Sequence, residues 1–110
     1  MYKQGAVILV PFPFTDLSGH KVRPCLVLYA QKHGEDCIVA FLSSVEHKKI
    51  GAFDLRIKAT KQNGLKKDSV LKLDKLATLQ KKIILGEIGV LEPGLVKIVN
   101  TRLKKLFQLL

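Results

Sequence analysis

A proline near the start of an apolar run constrains this chain more than any other feature. In Lys21-Val22-Arg23-Pro24-Cys25-Leu26-Val27-Leu28, the residues after Pro24 form a short apolar run of the kind that makes a buried strand. Pro24 cannot donate a ladder hydrogen bond, so it belongs at the first residues of that strand or on an edge. Proline fixes its own φ and pushes the residue before it towards extended conformations. Arg23 is therefore held where a loop meets a rigid element. A guanidinium held this way can grip a phosphate through two parallel hydrogen bonds. The same residue also fits a plain solvated arginine beside a strand start.

Other short strands follow the same logic. Gly5-Ala6-Val7-Ile8-Leu9-Val10-Pro11 reads as a buried strand ended by Pro11 and Pro13. Phe12 and Phe14 flank Pro13, a run that can stack bases or pack over a barrel end. Thr15 to Lys21 is a polar loop, of the kind that carries function on a rigid scaffold. A strand from about Arg23 to Gln31 and another over Cys37–Leu42 are joined by Lys32-His33-Gly34-Glu35, which reads as a tight hairpin with Gly34 at positive φ. In that register Arg23 faces Ser44 and Pro24 faces Ser43, while Cys25 faces Leu42 and Cys37 faces Ala30. A one-residue bulge puts Arg23 opposite Ser43 instead. Either way the arginine and a serine hydroxyl converge at one end of the sheet.

The later segments are a charged loop over Val45–Gly51, a half-exposed strand over Phe53–Ile57, and a basic connection containing Asn63-Gly64, a strong turn signal. A strand over Ser69–Leu76 puts Lys72 and Asp74 on one face, Leu71 and Leu73 on the other. Ile83–Leu91 is a last, bent strand whose glycines suit a barrel corner. Pro93 starts a helix in which Leu95, Ile98, Val99, Leu103, Leu106, Phe107 and Leu110 form an apolar stripe. The fold class is mainly β with a C-terminal helix, a small and strongly bent barrel. The 110 residues are expected to make one domain.

Charge narrows the partners. The net charge is +10, with a net of +1 over residues 1–55 and +9 over residues 56–110. Such a surface, built mostly from the second half, suits RNA, DNA, an acidic protein segment or a membrane surface. No signal peptide or membrane span is expected from the sequence, which points to the cytoplasm. Cys25 and Cys37 read as buried free thiols. His20, His33 and His47 have no zinc-type spacing, so no metal or cofactor is expected. The helix stripe is broad for so small a barrel, which predicts a homodimer that buries what is left exposed.

Several segments together resemble the PemK/MazF family of toxins. They are Gly5–Val10, Arg23–Leu28, Ala40-Phe41-Leu42-Ser43-Ser44, Ser69–Leu79, and Ile88-Gly89-Val90-Leu91 before the last helix. The resemblance implies an SH3-like barrel (a class also similar to CcdB) and a homodimer that cleaves single-stranded RNA selectively without a metal. It also implies a cognate antitoxin with an acidic C-terminal segment, and operator DNA bound as a toxin–antitoxin complex. The family's catalytic arginine falls on Arg23 and its catalytic threonine on a serine, most naturally Ser43. An acidic residue of the family's first loop has no clear counterpart; His20 occupies that neighbourhood. A late arginine is Ala77 here, and a nearby acidic residue is Gln80.

The chemistry suits these residues. An arginine can stabilise negative charge on a phosphate but is a poor general base. Ser43 is expected to orient the phosphate or the 2′-hydroxyl. His20 can transfer protons near neutral pH or sit as a solvated loop histidine. Lys21, Ser44, Lys48, Lys49, Lys72 and Lys75 are expected to bind RNA. The rival readings are a non-catalytic toxin that inhibits a protein such as gyrase, and a plain nucleic-acid-binding barrel.

Overall fold

A computed structural model describes residues 2–12, 21–44 and 50–109. The strands are β1 (Ala6–Phe12), β2 (Lys21–Ala30), β3 (Asp36–Ser43), β4 (Asp54–Ile57), β5 (Ser69–Gln80) and β6 (Gly86–Val90); one helix, α1 (Pro93–Leu106), ends the fold. A single 3₁₀ turn, Lys81–Ile83, separates β5 from β6. All neighbouring strands are antiparallel, in the order β4-β5-β3-β2-β1-β6.

The apolar runs in β1 to β3 are unbroken because both faces of the sheet are covered. One face carries Val7, Leu26, Ala40, Leu42, Leu71 and Leu73, packed with Leu65, Leu91 and Val99. The other carries Ala6, Ile8, Val10, Cys25, Val27, Cys37, Val39 and Leu79, with Tyr2, Ile83 and Ile84 against them. Each fully buried aliphatic side chain contributes about 1.5–3 kcal/mol. Alternation along a strand therefore sorts residues between two cores rather than between core and water.

Both prolines sit where a strand is paired on one side only. β6 stops pairing with β1 at Leu9, so Pro11 lies inside β1, opposite Val22, rather than ending it as the sequence suggested. The ladder of β2 with β3 starts at Cys25, so Pro24 is paired with Leu9 of β1 alone. A missing donor costs no ladder bond on an unpaired flank.

The sheet curls through bulges. On β5, Leu73, Asp74 and Lys75 are extra residues between the pairs Phe41↔Lys72 and Ala40↔Leu76. On β6, Ile88 is extra between Val7↔Gly89 and Ile8↔Glu87. Such insertions bend and twist a strand. The connection after β4 then crosses to the far edge of the sheet, where the Val90 amide donates to the Gln62 carbonyl at 2.8 Å. The bent barrel expected from the sequence is this curled sheet, closed by that connection.

Asn63 holds the connection. It is fully buried; its Oδ1 accepts from the Thr60 and Leu65 amides, and its Nδ2 donates to the Lys58 carbonyl and to Glu92 Oε1. The Thr60 hydroxyl donates to the other Glu92 oxygen at 2.6 Å. That bond, helped by the Asn63 amide, holds the Glu92 carboxyl below its ordinary range against the opposing effect of desolvation. Gly64 adopts φ +73°, and a Cβ on it would lie 1.9 Å from the Ile88 carbonyl oxygen. Gly89 approaches from the other side, its would-be Cβ 2.4 Å from the Gln62 carbonyl oxygen.

Several expectations are corrected. The β2–β3 turn is a longer loop over residues 31–35, closed by the Gln31 amide on the Asp36 carbonyl, and Gly34 is not at positive φ. Its lack of a side chain instead makes room for Gln31, whose Oε1 accepts from the Asp36 amide. Cys25 faces Phe41, not Leu42, whereas Cys37 does face Ala30. Asp54 is buried instead of lying on an exposed strand face. Two expectations about the helix hold: it starts at Pro93, and the barrel leaves part of its stripe uncovered, with Val99 buried while Ile98 and Phe107 are exposed.

The close approach at Gly89 generates a paired prediction. Gly89→Ala is expected to lower stability by about 1–3 kcal/mol, because backbone rather than a flexible side chain must give way. Gly86→Ala, with nothing within 4 Å of its Cβ, is expected to change little. Urea denaturation of both variants checks this; equal midpoints would mean that the connection yields freely.

Candidate active site

The register of β2 against β3 decides which serine meets Arg23. Pairing runs Cys37↔Ala30 and Ile38↔Tyr29, then shifts to Val39↔Val27, Ala40↔Leu26 and Phe41↔Cys25. Leu28 is the extra residue. Continued two residues further, the shifted register sets Arg23 opposite Ser43, the bulged alternative in the sequence. Arg23 lies on the same face as Cys25 and Val27, and Ser43 on the same face as Phe41 and Val39, so both belong to one face. Ser44 belongs to the other.

Aromatic rings flank the arginine. Its guanidinium carbon is 5.9 Å from the centroid of Phe12, which in turn meets Phe41 edge-on at 6.1 Å between centroids. A cation over a ring face is attracted by the ring quadrupole. Arg23 is half-buried, and among the described residues the single ion pair joins Lys72 to Asp54 elsewhere. The guanidinium therefore lies beside the Phe12 ring and has no carboxylate partner among the described residues. Of the other sequence candidates, Lys21 is exposed beside Phe12, its partner across β1. His20, Lys48 and Lys49 lie outside the described residues, as do Pro13 and Phe14.

Lys72 and Lys75 are placed differently from one another. Lys75 is exposed in the β5 bulge. Lys72 pairs with Phe41 across the ladder, and its ammonium lies 3.0 Å from Asp54 Oδ2. The same oxygen accepts from the Gly51 amide at 2.9 Å. Burial pushes the Asp54 carboxyl up, but the Gly51 amide and the Lys72 ammonium outweigh it and hold the carboxyl below its ordinary range. Arg102 of α1 donates to the Asp54 carbonyl, which ties the helix to β4. Sequence alternation gave no sign of this pair, since its two residues are 18 apart and meet only across β4 and β5.

The cysteines take no part. Both are free and buried; burial and the neighbouring Cys37 push the Cys25 thiol up to about 12, and burial likewise raises Cys37. Ala77 faces Val39, and Gln80 faces Asp36 at the far end of β3 from Ser43. Among the described residues no three His, Cys, Asp or Glu side chains gather as a metal site, and no helix is long and apolar enough to cross a membrane.

A cleft of about 390 Å³ opens at the same end of the sheet. Arg23 borders it. Val22, Pro24 and Leu42 line it from the opposite sheet face, together with Ser44 and, from the connection, Leu65, Lys66 and Lys67. The two lysines are functional candidates that the sequence reading passed over, although their adjacency within the basic connection was visible.

The chain is thus a curled antiparallel sheet with one terminal helix, and Arg23 stands at one end of that sheet. The family model for the PemK-like, MazF-like toxins of type II toxin–antitoxin systems matches residues 3–107, and the chain belongs to that family. Solved structures share the fold. An endoribonuclease in complex with its cognate antitoxin, from a mycobacterial species, superposes with a TM-score of 0.76 at 17% identity, covering 100% of this chain and 98% of that one. The Mycobacterium tuberculosis toxin MazF-mt6 gives 0.74 at 20% identity, with 94% and 97% covered. A MazE–MazF structure from Deinococcus radiodurans gives 0.76 at 18%, with 99% and 98% covered. No curated protein matches the sequence.

The Asp54 carboxyl yields a pH prediction. Its folded pKa is depressed, so its contribution to stability is full above the unfolded value of about 3.9 and is lost as pH falls through the lower folded value. Asp54→Asn is expected to be less stable at pH 7 and to lose less on acidification from pH 5 to pH 3 than the parent. Urea midpoints across that range check it; parallel curves would remove Asp54 as the source.

Proposed function

We propose that this toxin is a metal-independent endoribonuclease, acting as one domain per subunit on single-stranded RNA in the cytoplasm. What supports the reading is that Arg23, with no carboxylate partner among the described residues, shares one sheet face with Ser43 in a chain of this family. The neighbouring 2′-hydroxyl, which DNA lacks, attacks phosphorus. Its oxygen forms the new bond, and the bond to the departing 5′-oxygen breaks. Arg23 stabilises the extra charge on the phosphate as it develops. Ser43 orients the phosphate or the attacking hydroxyl. Proton transfer is assigned to His20 from the sequence.

Removing Arg23 removes the charge clamp. Arg23→Ala is expected to cut cleavage by about 10²–10³ while circular dichroism stays that of the parent. Ser43→Ala is expected to slow single-turnover cleavage more than Ser44→Ala. The assay uses single-stranded RNA in EDTA. Retardation without cleavage would leave a plain nucleic-acid binder, and inhibition of gyrase supercoiling instead would leave a protein poison.

The same proposal includes the partners. The exposed Ile98, Phe107 and Leu109 support a homodimer in which a second copy covers the helix stripe. The mycobacterial and Deinococcus relatives, solved with antitoxins, support a cognate antitoxin here, with an acidic C-terminal segment that competes with RNA and joins the toxin on operator DNA. Light scattering at micromolar concentration is expected to give twice the chain mass, and an acidic peptide is expected to inhibit cleavage less as salt rises. A monomeric mass, or binding that leaves cleavage unchanged, would overturn the respective half.

A further inference from the structure

The cleft beside Arg23 has a composition that phosphate binding alone does not explain. Its walls are apolar, from Leu9, Pro24, Leu42, Leu65 and Ile88, its rim carries the cationic Lys66 and Lys67, and Arg23 borders it. No carboxylate is among the described lining residues. Ser44 and Ser69 add hydroxyls to the lining, that of Ser69 donating to the Lys67 carbonyl at 2.9 Å. At about 390 Å³ it falls near the lower end of the ~300–1,000 Å³ range of small-ligand pockets, room for a single planar group rather than a folded segment.

The cationic rim is rigidly mounted. Leu65 is buried and its amide is bonded to Asn63 Oδ1. Gly64 presses its backbone on the Ile88 carbonyl. Lys66 and Lys67 follow directly and are exposed, with no carboxylate partner among the described residues. Their positions are thus set by the same buried asparagine that closes the barrel.

We propose that this cleft is a nucleotide subsite: it takes one unstacked base of a single-stranded RNA, while Lys66 and Lys67 hold the adjoining phosphates. The inference rests on the ribonuclease reading above for the identity of the strand. Sequence-selective RNA binding works mainly on splayed single-stranded bases. Arg23 borders the cleft while its guanidinium packs over Phe12 on the other face. A strand bending round this end of the sheet meets the cleft and the arginine at successive nucleotides. The two serines divide accordingly, Ser43 on the arginine's face and Ser44 in the cleft, where its hydroxyl can bond a base edge.

The test uses a randomised single-stranded RNA pool, sequenced at the cut ends, and its all-deoxy counterpart as a strand that cannot be cleaved. The Lys66→Ala/Lys67→Ala double variant is expected to raise KM about tenfold, with a smaller effect on kcat, and to flatten the logarithmic salt dependence of binding by about 1.4, or 0.7 per phosphate. Val22→Trp, which fills the mouth of the cleft from an exposed position, is expected to change base preference at one position beside the cut and not at the others. Unchanged KM, salt slope and base preference in variants of a parent that cleaves would overturn the subsite. So would loss of acidic-peptide binding with RNA handling intact, which would give the cleft to a protein segment. A parent that does not cleave fails the ribonuclease reading alone. Affinity for the deoxy pool then decides the subsite: it stands if the double variant binds more weakly with a flatter salt slope, and falls if the two bind alike.

Discussion

One unpaired residue, Leu28, sets the register at the end of the sheet where Arg23 lies. Its insertion into β2 shifts the pairing with β3 by one position over the second half of the hairpin. Side chains alternate with a period of two, so a one-residue shift exchanges the partners at the strand ends without disturbing the long hairpin between them. Continued past the last paired residues, Cys25 and Phe41, the shifted register aligns Ser43 rather than Ser44 with Arg23.

The same sheet needs a second device to become a barrel. β4 is only four residues long, and a ladder could not carry it round to β6. The connection after β4 spans that gap as irregular backbone, with polar groups that must be satisfied where they are buried. Asn63 satisfies them with both ends of its amide, and Gly64 and Gly89 remove the two Cβ atoms that would hold the chains apart. Barrel closure and the placement of Lys66 and Lys67 are thus one structural event. Two of the basic residues of the second half, Lys66 and Lys67, are thus brought to the arginine's end of the sheet by a buried amide.

Electrostatically the molecule separates two roles for its cations. Lys72 is spent on a buried carboxylate, where it offsets the desolvation of Asp54. Arg23, Lys66 and Lys67 have no such partner among the described residues, and their field is available to an anion from outside. For a member of a toxin family whose partners are expected to be RNA and an acidic protein, that separation matters more than the total charge.

The sequence by itself determined which segments become strands and where the helix starts, because these follow from local periodicity and from what proline and glycine permit, although it began the last strand at Ile83, where the chain makes a 3₁₀ turn before β6. It also singled out Arg23, since a proline next to a cation at a strand mouth is a local arrangement. It left Ser43 and Ser44 both open to Arg23, and the choice fell to a bulge at Leu28 that no residue type announces. Asp54 read as solvent-facing because its counter-ion lies on another strand. The cleft was invisible for the same reason: Leu9, Pro24, Leu42, Leu65 and Ile88 come from five separate segments. Tertiary structure decided these points because register, ion pairing across strands and the meeting of distant loops depend on contacts between residues that the chain keeps far apart.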